Sequence, residues 1–151
     1  MSRKVFGIDN LNTCTQRKLE DIKSDDFVYM NVDITTFIDI PGRVDYVYHL
    51  ASPASPIDYL QMPLHTLKVG AVGTRNAIGL AKWKRARFLL TSTSEVYGDP
   101  EVQPQTEDDL GHVNPIGPRR VSDEAKRDAG TTTKAQDRPT GGDAQRTVEL
   151  D

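Results

Sequence analysis

The sequence predicts an α/β protein built on part of a doubly wound parallel sheet. Three observations lead to this fold class. Short β-prone runs alternate with helical or polar segments along the chain. Within each run the apolar character is continuous rather than alternating, which is typical of strands covered on both faces. Each run also stops at polar or turn-forming residues, as strands do where they open into a ligand crevice. Such a rhythm of strand and helix favours a sheet with helices on both faces.

Four runs are predicted to be strands: residues 5–8, 27–32, 46–51 and 87–92. The first ends at Asp9 and Asn10, and the second ends at Asp33. The third runs into a turn-rich segment, 52–56, and the fourth ends in a cluster of hydroxyl side chains.

The spacing of apolar residues predicts one long helix between the third and fourth strands. Apolar positions recur there at steps of three and four from about Pro63 to Trp83, with the proline in the first turn. Gly70 and Gly73 lie inside this helix, where glycine weakens the helix but allows close backbone packing. A second helix is predicted for residues 119–127.

The composition changes near residue 128. The chain has 151 residues, enough for one domain with a sizeable core, but its apolar fraction of 36% is low. Most of that deficit lies after residue 127, where there is no aromatic residue and no periodic charge pattern. We therefore predict a folded domain over 1–127 and a disordered tail over 128–151.

Charge and composition argue against several functional classes. The net charge of −3 is spread over both signs, which predicts no nucleic-acid or anionic-lipid binding. No apolar run reaches the roughly 20 residues of a membrane span, and the N-terminus has no targeting pattern. Cys14 is the single cysteine, so a reducing compartment such as the cytoplasm is expected. The spacing of His49, His65 and His112 predicts no metal site.

Three stretches carry a resemblance to a known family: 49–56 (HLASPASP), 91–100 (TSTSEVYGDP) and 111–119 (GHVNPIGPR). Through them, residues 4–127 resemble the extended short-chain dehydrogenase/reductase superfamily and, within it, the UDP-glucuronic acid decarboxylases. The resemblance implies a Rossmann-like fold and a tightly held NAD. It also implies a carboxy-lyase reaction in which UDP-glucuronic acid is oxidised at C4, loses carbon dioxide and is reduced to UDP-xylose.

The resemblance also implies a set of cofactor-binding positions: Asp9, Asn10, Asp33, Ile34, Leu50, Ala51, Ser52 and Lys126. Asp9 would accept hydrogen bonds from the adenosine ribose, and Asp33 would lie beside the adenine ring. For both carboxylates the alternative is a strand-end residue that caps a turn. For residues 50–52 the alternative is a buried strand that leaves the sheet.

The hydroxyl cluster matches the family's catalytic segment. Thr93 corresponds to the hydroxyl that binds the reacting sugar oxygen, and Ser94 and Glu95 to positions that manage the sugar ring and proton transfers. Serine is a poor general acid for expelling a hydroxyl, so Ser94 favours decarboxylation over the related dehydratase reaction. The alternative is an ordinary polar strand end.

Three positions on the long helix match contacts to the UDP-sugar: Lys68, Asn76 and Gly79. The alternative is a set of solvated helix residues without a ligand role.

Three departures from the family pattern predict impaired catalysis. The chain starts at the family's second strand, without the glycine-rich turn that binds the pyrophosphate. Ser122 occupies the position of the catalytic tyrosine, although Lys126 is retained. The sequence after Lys126 no longer resembles the family, so the substrate lobe is missing.

The missing first strand should leave a gap in the sheet. In the strand order 3-2-1-4-5-6 the first strand lies between the second and the fourth. Each unpaired buried backbone group costs about 1–3 kcal/mol, against a net stability of about 5–15 kcal/mol. The isolated chain should be marginally stable unless another chain fills the gap.

Two interpretations remain open. The chain is either a truncated decarboxylase that acts on a UDP-sugar with NAD, or a non-catalytic remnant. A remnant would bind nucleotide weakly or form homo- or heterodimers with family subunits. Family members occur in the cytoplasm and in the Golgi lumen, and the absence of a targeting segment favours the cytoplasm.

Overall fold

The computed structural model describes residues 4–15, 17–98, 102–106, 111–112, 124–125, 127, 129 and 147–148. The elements are β1 (Val5–Asp9), α1 (Arg17–Glu20), β2 (Phe27–Asn31), β3 (Tyr46–His49), α2 (Pro56–Gln61), α3 (Pro63–Lys68), a π-helical turn (Val69–Gly73), α4 (Thr74–Lys84), β4 (Arg87–Leu90), a 3₁₀ helix (Ser94–Tyr97) and β5 (Thr147–Val148). The four predicted strands and the long predicted helix are all present.

The described strands form two separate sheets rather than one. β1 and β2 pair in parallel, with Val5 opposite Phe27. β3 and β4 also pair in parallel, with Tyr46 opposite Arg87, and β5 lies antiparallel on the other edge of β4. No described strand joins β1 to β3. The prediction of a partial doubly wound parallel sheet is therefore confirmed, and among the described strands the sheet is interrupted between β1 and β3.

The long helix begins at Pro63, as predicted, and continues through the π-helical turn to Lys84. It ends at Arg85, whose φ of 54° is left-handed. There the N–H of Arg85 donates to the carbonyl of Lys82, and the N–H of Ala86 donates to the carbonyl of Ala81. These bonds satisfy carbonyl groups that a helix end would otherwise leave unpaired.

The long helix packs against both sheets through two apolar clusters. Ala77, Ile78, Ala81, Ala86 and Phe88 form one cluster, and Ile34, Ile38, Ile40, Val69 and Leu80 form the other. Phe6 of β1 and Val47 of β3 both pack on the second cluster, and Val47 also contacts the first. One helical layer therefore spans the gap and holds the two sheets in place.

The two glycines of the π-helical turn allow close packing, as predicted. A Cβ added at Gly70 would lie 2.6 Å from Cβ of Ala125, and one added at Gly73 would lie 2.6 Å from Cδ1 of Ile34. Both distances are too short for a real Cβ contact, so the absence of a side chain brings these segments together.

Several features differ from or add to the predictions. The short helices α1 and α2 and the 3₁₀ helix were not predicted; α2 begins at Pro56, a proline in the first helical position. Of the second predicted helix, Glu124, Ala125 and Arg127 are helical, and the other positions lie outside the described residues. In the segment predicted as a disordered tail, Ala129 is helical and buried and β5 pairs with β4. At these positions the segment is structured, while the domain boundary near residue 127 stays a prediction.

Candidate functional site

A cleft of about 150 Å³ lies where β1, β2 and β3 end. Its lining comes from the segments that follow these strands and from the long helix: Ile8, Asp9, Asn10, Asn12, Thr13, Val32, Asp33, Ile34, Leu50, Ala51, Ser52, Pro53, His65 and Val69. The carboxyl ends of parallel strands are where doubly wound sheets bind ligands. Seven of the eight predicted cofactor-binding positions line this cleft. Lys126, the eighth, lies outside the described residues.

Asp33 is held by groups from three segments of the chain. Its Oδ1 accepts the backbone N–H of Thr35 at 2.8 Å, and its Oδ2 accepts the side-chain amide of Asn10 at 3.1 Å. Nε2 of His65 lies 3.8 Å from the same Oδ2. These contacts fix the orientation of the carboxylate in the wall of the cleft.

The surroundings of Asp33 favour its ionised form. Burial raises the pKa of the Asp33 carboxyl, but the hydrogen bonds from Thr35 and Asn10 and the charge of His65 lower it by more in sum. The pKa therefore lies below its ordinary value of 3.8. Near neutral pH, Asp33 is a fixed hydrogen-bond acceptor.

One carboxylate oxygen of Asp9 caps the turn that follows β1, and the other faces outward from that turn. Its Oδ1 accepts the N–H of Leu11 at 2.6 Å, and Leu11 has a left-handed φ of 58°. The turn-capping alternative is therefore present in the structure. Among the described residues the second oxygen of this exposed carboxylate makes no hydrogen bond, so the turn leaves a position for a ligand donor.

His65, Pro53 and Val69 line the cleft but were not predicted as site residues. The contact between His65 and Asp33 joins the first turns of α3 to the end of β2, which are 32 positions apart in sequence. No local spacing signals such a contact. The strand-end aspartate was recognisable from the sequence, but its helical neighbour was not.

The catalytic segment is only partly described. The backbone N–H and the hydroxyl of Thr91 both donate to the carbonyl of His49 at 3.2 Å, which fixes the strand end. Thr93 is half-buried just before the 3₁₀ helix that contains the backbone of Ser94 and Glu95. Ser122 and Lys126 lie outside the described residues, so their predicted roles stay predictions.

The predicted substrate positions on the long helix have different surroundings. Both amide hydrogens of Asn76 are used in the fold, because Nδ2 donates to the carbonyls of Ile34 and Thr36 at 2.8 Å each. Only the Oδ1 atom of Asn76 is left for a ligand. Lys68 is exposed, and a Cβ added at Gly79 would have no neighbour within 4 Å. Their substrate role stays a prediction.

The described residues contain neither a metal-ligating cluster nor a helix that could cross a membrane. No group of three or more His, Cys, Asp or Glu side chains in the described ranges is arranged to hold a metal ion. None of the helices in those ranges has both the length and the apolar character needed to cross a bilayer.

Comparison with known families decides the assignment of this fold. The model of the NAD dependent epimerase/dehydratase family matches residues 2–138, most of the chain. The chain belongs to this family. The predicted resemblance to extended short-chain dehydrogenases/reductases is thereby confirmed.

Similar curated members of this epimerase/dehydratase family are UDP-glucuronic acid decarboxylases. The chain is 53% identical over 129 residues to UDP-glucuronic acid decarboxylase 1 of Danio rerio, which covers 85% of this chain and 30% of that protein. It is 61% identical over 89 residues to UDP-glucuronic acid decarboxylase 6 of Arabidopsis thaliana, covering 59% of this chain and 26% of that protein. The chain thus spans less than a third of the length of these relatives.

Solved epimerase structures share the fold. The UDP-Glc/GlcNAc 4-epimerase of Campylobacter jejuni superimposes with a TM-score of 0.71 at 20% identity, covering 89% of this chain and 42% of that one. The UDP-N-acetylglucosamine 4-epimerase of Methanobrevibacter ruminantium gives 0.70 at 22% identity, covering 87% and 42%. At these identities the likeness shows a shared fold and no more.

Proposed function

We propose that this chain carries the nucleotide-facing part of an NAD-dependent UDP-glucuronic acid decarboxylase. On its own it binds the adenosine portion of NAD weakly in the cleft, and its decarboxylation activity is impaired or absent. The observation that carries this proposal is the convergence of seven cofactor positions on one cleft around the ionised Asp33.

The donor and acceptor groups of the cleft fit an adenosine. Adenosine offers hydrogen-bond donors on its ribose hydroxyls and on its exocyclic amine. The carboxylates of Asp9 and Asp33 are acceptors, and Ile8, Ile34 and Val69 provide apolar walls for a purine ring. The volume of about 150 Å³ is below the roughly 300–1,000 Å³ of complete small-molecule sites, so the cleft suits one part of a dinucleotide.

Catalysis would depend on residues beyond the cleft. When bound, NAD accepts a hydride from the substrate and returns it. By its match to the family, Thr93 would hold the reacting sugar hydroxyl, and Ser94 and Glu95 would manage proton transfer. Lys68, Gly79 and the free oxygen of Asn76 would face the UDP-sugar.

Ser122 is the main reason to expect impaired turnover. Removing the proton from the sugar hydroxyl requires a base, and a phenol with a pKa near 10 can be tuned towards that role. A serine hydroxyl is far less acidic, and its side chain is too short to reach across the same distance. The retained Lys126 could still bind the nicotinamide ribose.

Two measurements on the purified chain test the proposal. Incubation with UDP-glucuronic acid and NAD, followed by detection of carbon dioxide and UDP-xylose, should show no turnover; turnover at ordinary enzyme rates would refute the impairment. The Ser122→Tyr variant alone should not restore activity.

Calorimetry tests binding separately from catalysis. Titration with NAD should give heat that Asp33→Ala abolishes and that Asp39→Ala, at an exposed carboxylate outside the cleft, leaves unchanged. The absence of heat with the unmodified chain would contradict the binding proposal.

A further inference from the structure

Among the described residues that line the cleft, His65 alone has a side chain that can carry a positive charge. Its imidazole lies beside the Asp33 carboxylate, with Nε2 3.8 Å from Oδ2. Hydrogen bonds from nitrogen to oxygen span about 2.7–3.2 Å, so the two groups lie side by side without such a bond. Both side chains line the cleft and are 25% and 29% exposed, so a ligand in the cleft can reach them.

The two groups offer a ligand opposite hydrogen-bonding functions. The Asp33 carboxyl, whose lowered pKa keeps it ionised near neutral pH, only accepts hydrogen bonds. A carboxylate has about four lone-pair positions, and the N–H of Thr35 and the amide of Asn10 occupy two of them. The negative charge favours the His65 tautomer with its proton on Nε2, and an imidazolium carries a proton there as well. Among the described residues Nε2 makes no hydrogen bond, so its N–H is free to donate to a ligand.

Apolar side chains flank this acceptor–donor pair. Val69 follows His65 by four positions, so both side chains lie on the face of the long helix that lines the cleft. The N–H of Val69 donates to the carbonyls of His65 and Thr66, which fixes this turn of the helix. Ile34 directly follows Asp33 and packs in the same apolar cluster as Val69. A planar base that packs on these two apolar side chains can turn its polar edge towards the pair.

A neighbouring acceptor and donor fit the edge of adenine that carries N6 and N7. This edge offers the N6 amine as a donor and N7 as an acceptor, and the side-chain amides of asparagine and glutamine read it with one oxygen and one nitrogen. We propose that Asp33 and His65 read adenine in the same way: Oδ2 of Asp33 accepts the N6 amine, and Nε2 of His65 donates to N7. His65 is then a specificity-determining residue of the cleft. The inference rests on the proposed function, because it concerns the same adenosine site.

Two analogues of AMP test the pair on the unmodified 151-residue chain. 7-Deaza-AMP has a C–H group in place of N7 and so lacks the acceptor for His65. It should bind about three- to tenfold more weakly than AMP, the range expected for one hydrogen bond. IMP has a carbonyl oxygen in place of the N6 amine. It should bind at least about tenfold more weakly, because an acceptor would then face the carboxylate of Asp33. Calorimetric titration measures the three dissociation constants.

Variants of His65 separate base reading from a structural role. His65→Phe keeps a planar ring but has no N–H, so AMP and 7-deaza-AMP should bind it with equal affinity. His65→Gln keeps an N–H donor and should retain a preference for AMP. Leu64→Ala, at an exposed neighbouring position outside the cleft, should retain the full preference. A residue that only shaped the cleft would change both affinities together and leave their ratio unchanged.

The possible outcomes distinguish this inference from the proposed function. Equal binding of AMP and 7-deaza-AMP to the unmodified chain would overturn the role of His65 and leave the proposed function standing. An unchanged ratio in His65→Phe would do the same, and so would IMP binding as tightly as AMP. Failure of AMP to bind the unmodified chain would contradict the proposed function and the inference with it.

Discussion

The side-chain amide of Asn10 donates a 3.1 Å hydrogen bond to Oδ2 of Asp33, and this bond joins the ends of β1 and β2. Oδ1 of Asn10 in turn accepts the backbone N–H of Asn12 at 3.1 Å. One asparagine thus shapes the loop after β1 and orients the central carboxylate of the cleft. The geometry of the cleft depends on contacts between strand ends.

Replacing Asn10 should change the titration of Asp33. In Asn10→Ala, one hydrogen bond that lowers the pKa of Asp33 is lost while the burial that raises it remains, so the pKa should rise. The free energy of unfolding should fall by about 1 kcal/mol. NMR titration of the Asp33 carboxyl carbon and urea denaturation measure the two effects. The matched control is Asn31→Ala, at an exposed position of β2, which should change neither.

Asp33 should also make stability depend on pH below its ordinary pKa. Because its pKa is lower in the folded chain, its ionised form stabilises the fold above 3.8, and this contribution is lost as the pH falls through the folded pKa. The difference in unfolding free energy between the unmodified chain and Asp33→Asn should be constant near neutral pH and shrink in acid. Urea denaturation from pH 7 to 3 would check this. A difference that grows as the pH falls would contradict the assignment.

Alanine substitution should have opposite effects on stability at two glycines of the long helix, Gly70 and Gly79. Gly70→Ala should destabilise the chain by about 1–3 kcal/mol through overpacking against Ala125, whose backbone would be too close to the new methyl group. Gly79→Ala is the matched control, because its added methyl group meets nothing within 4 Å. It should stabilise the chain by about 0.5–1 kcal/mol. Thermal and urea denaturation of both variants would measure these stabilities. A Gly70→Ala variant that is more stable than Gly79→Ala would contradict the prediction.

Replacing Asn76 should lower the stability of the fold, whether or not the residue also contacts a ligand. Asn76→Ala removes both hydrogen bonds to the loop after β2 and leaves the carbonyls of Ile34 and Thr36 without their donor. We expect a loss of about 1–3 kcal/mol in the free energy of unfolding. Arg75→Ala, at the exposed neighbouring position, should have little effect. An Asn76→Ala variant as stable as the unmodified chain would show that these bonds contribute nothing net.

The strands and the long helix could be predicted because their signals are local. Continuous apolar runs marked the strands, and the three-and-four spacing from Pro63 marked the helix. The interruption between β1 and β3 was also expected, because residues 5–8 were matched to the second strand of the family fold. The start of α2 was missed because Ser55 and Pro56 read equally well as a turn or as the beginning of a helix.

Contacts made across long sequence separations could not be predicted. His65 reaches Asp33, and Asn76 reaches the loop after β2, only because the helix folds back over the strand ends. The pairing of β5 with β4 joins residues about 60 positions apart, in a segment whose composition carries no strand pattern. For Asp9 the sequence also could not decide between turn capping and ligand binding, because one carboxylate can cap a turn and still offer its second oxygen to a ligand.

The most direct test of the account is an NMR titration of the chain with AMP, the adenylate half of the proposed cofactor. We predict chemical-shift changes confined to the lining of the cleft: the amides of Asp9, Asn10, Asp33, Ile34, Leu50, Ala51 and Ser52. The same titration of Asp33→Ala should show these changes lost, while Asp39→Ala should show them retained. Shift changes elsewhere, or none at all at saturating AMP, would contradict the assignment of the cleft.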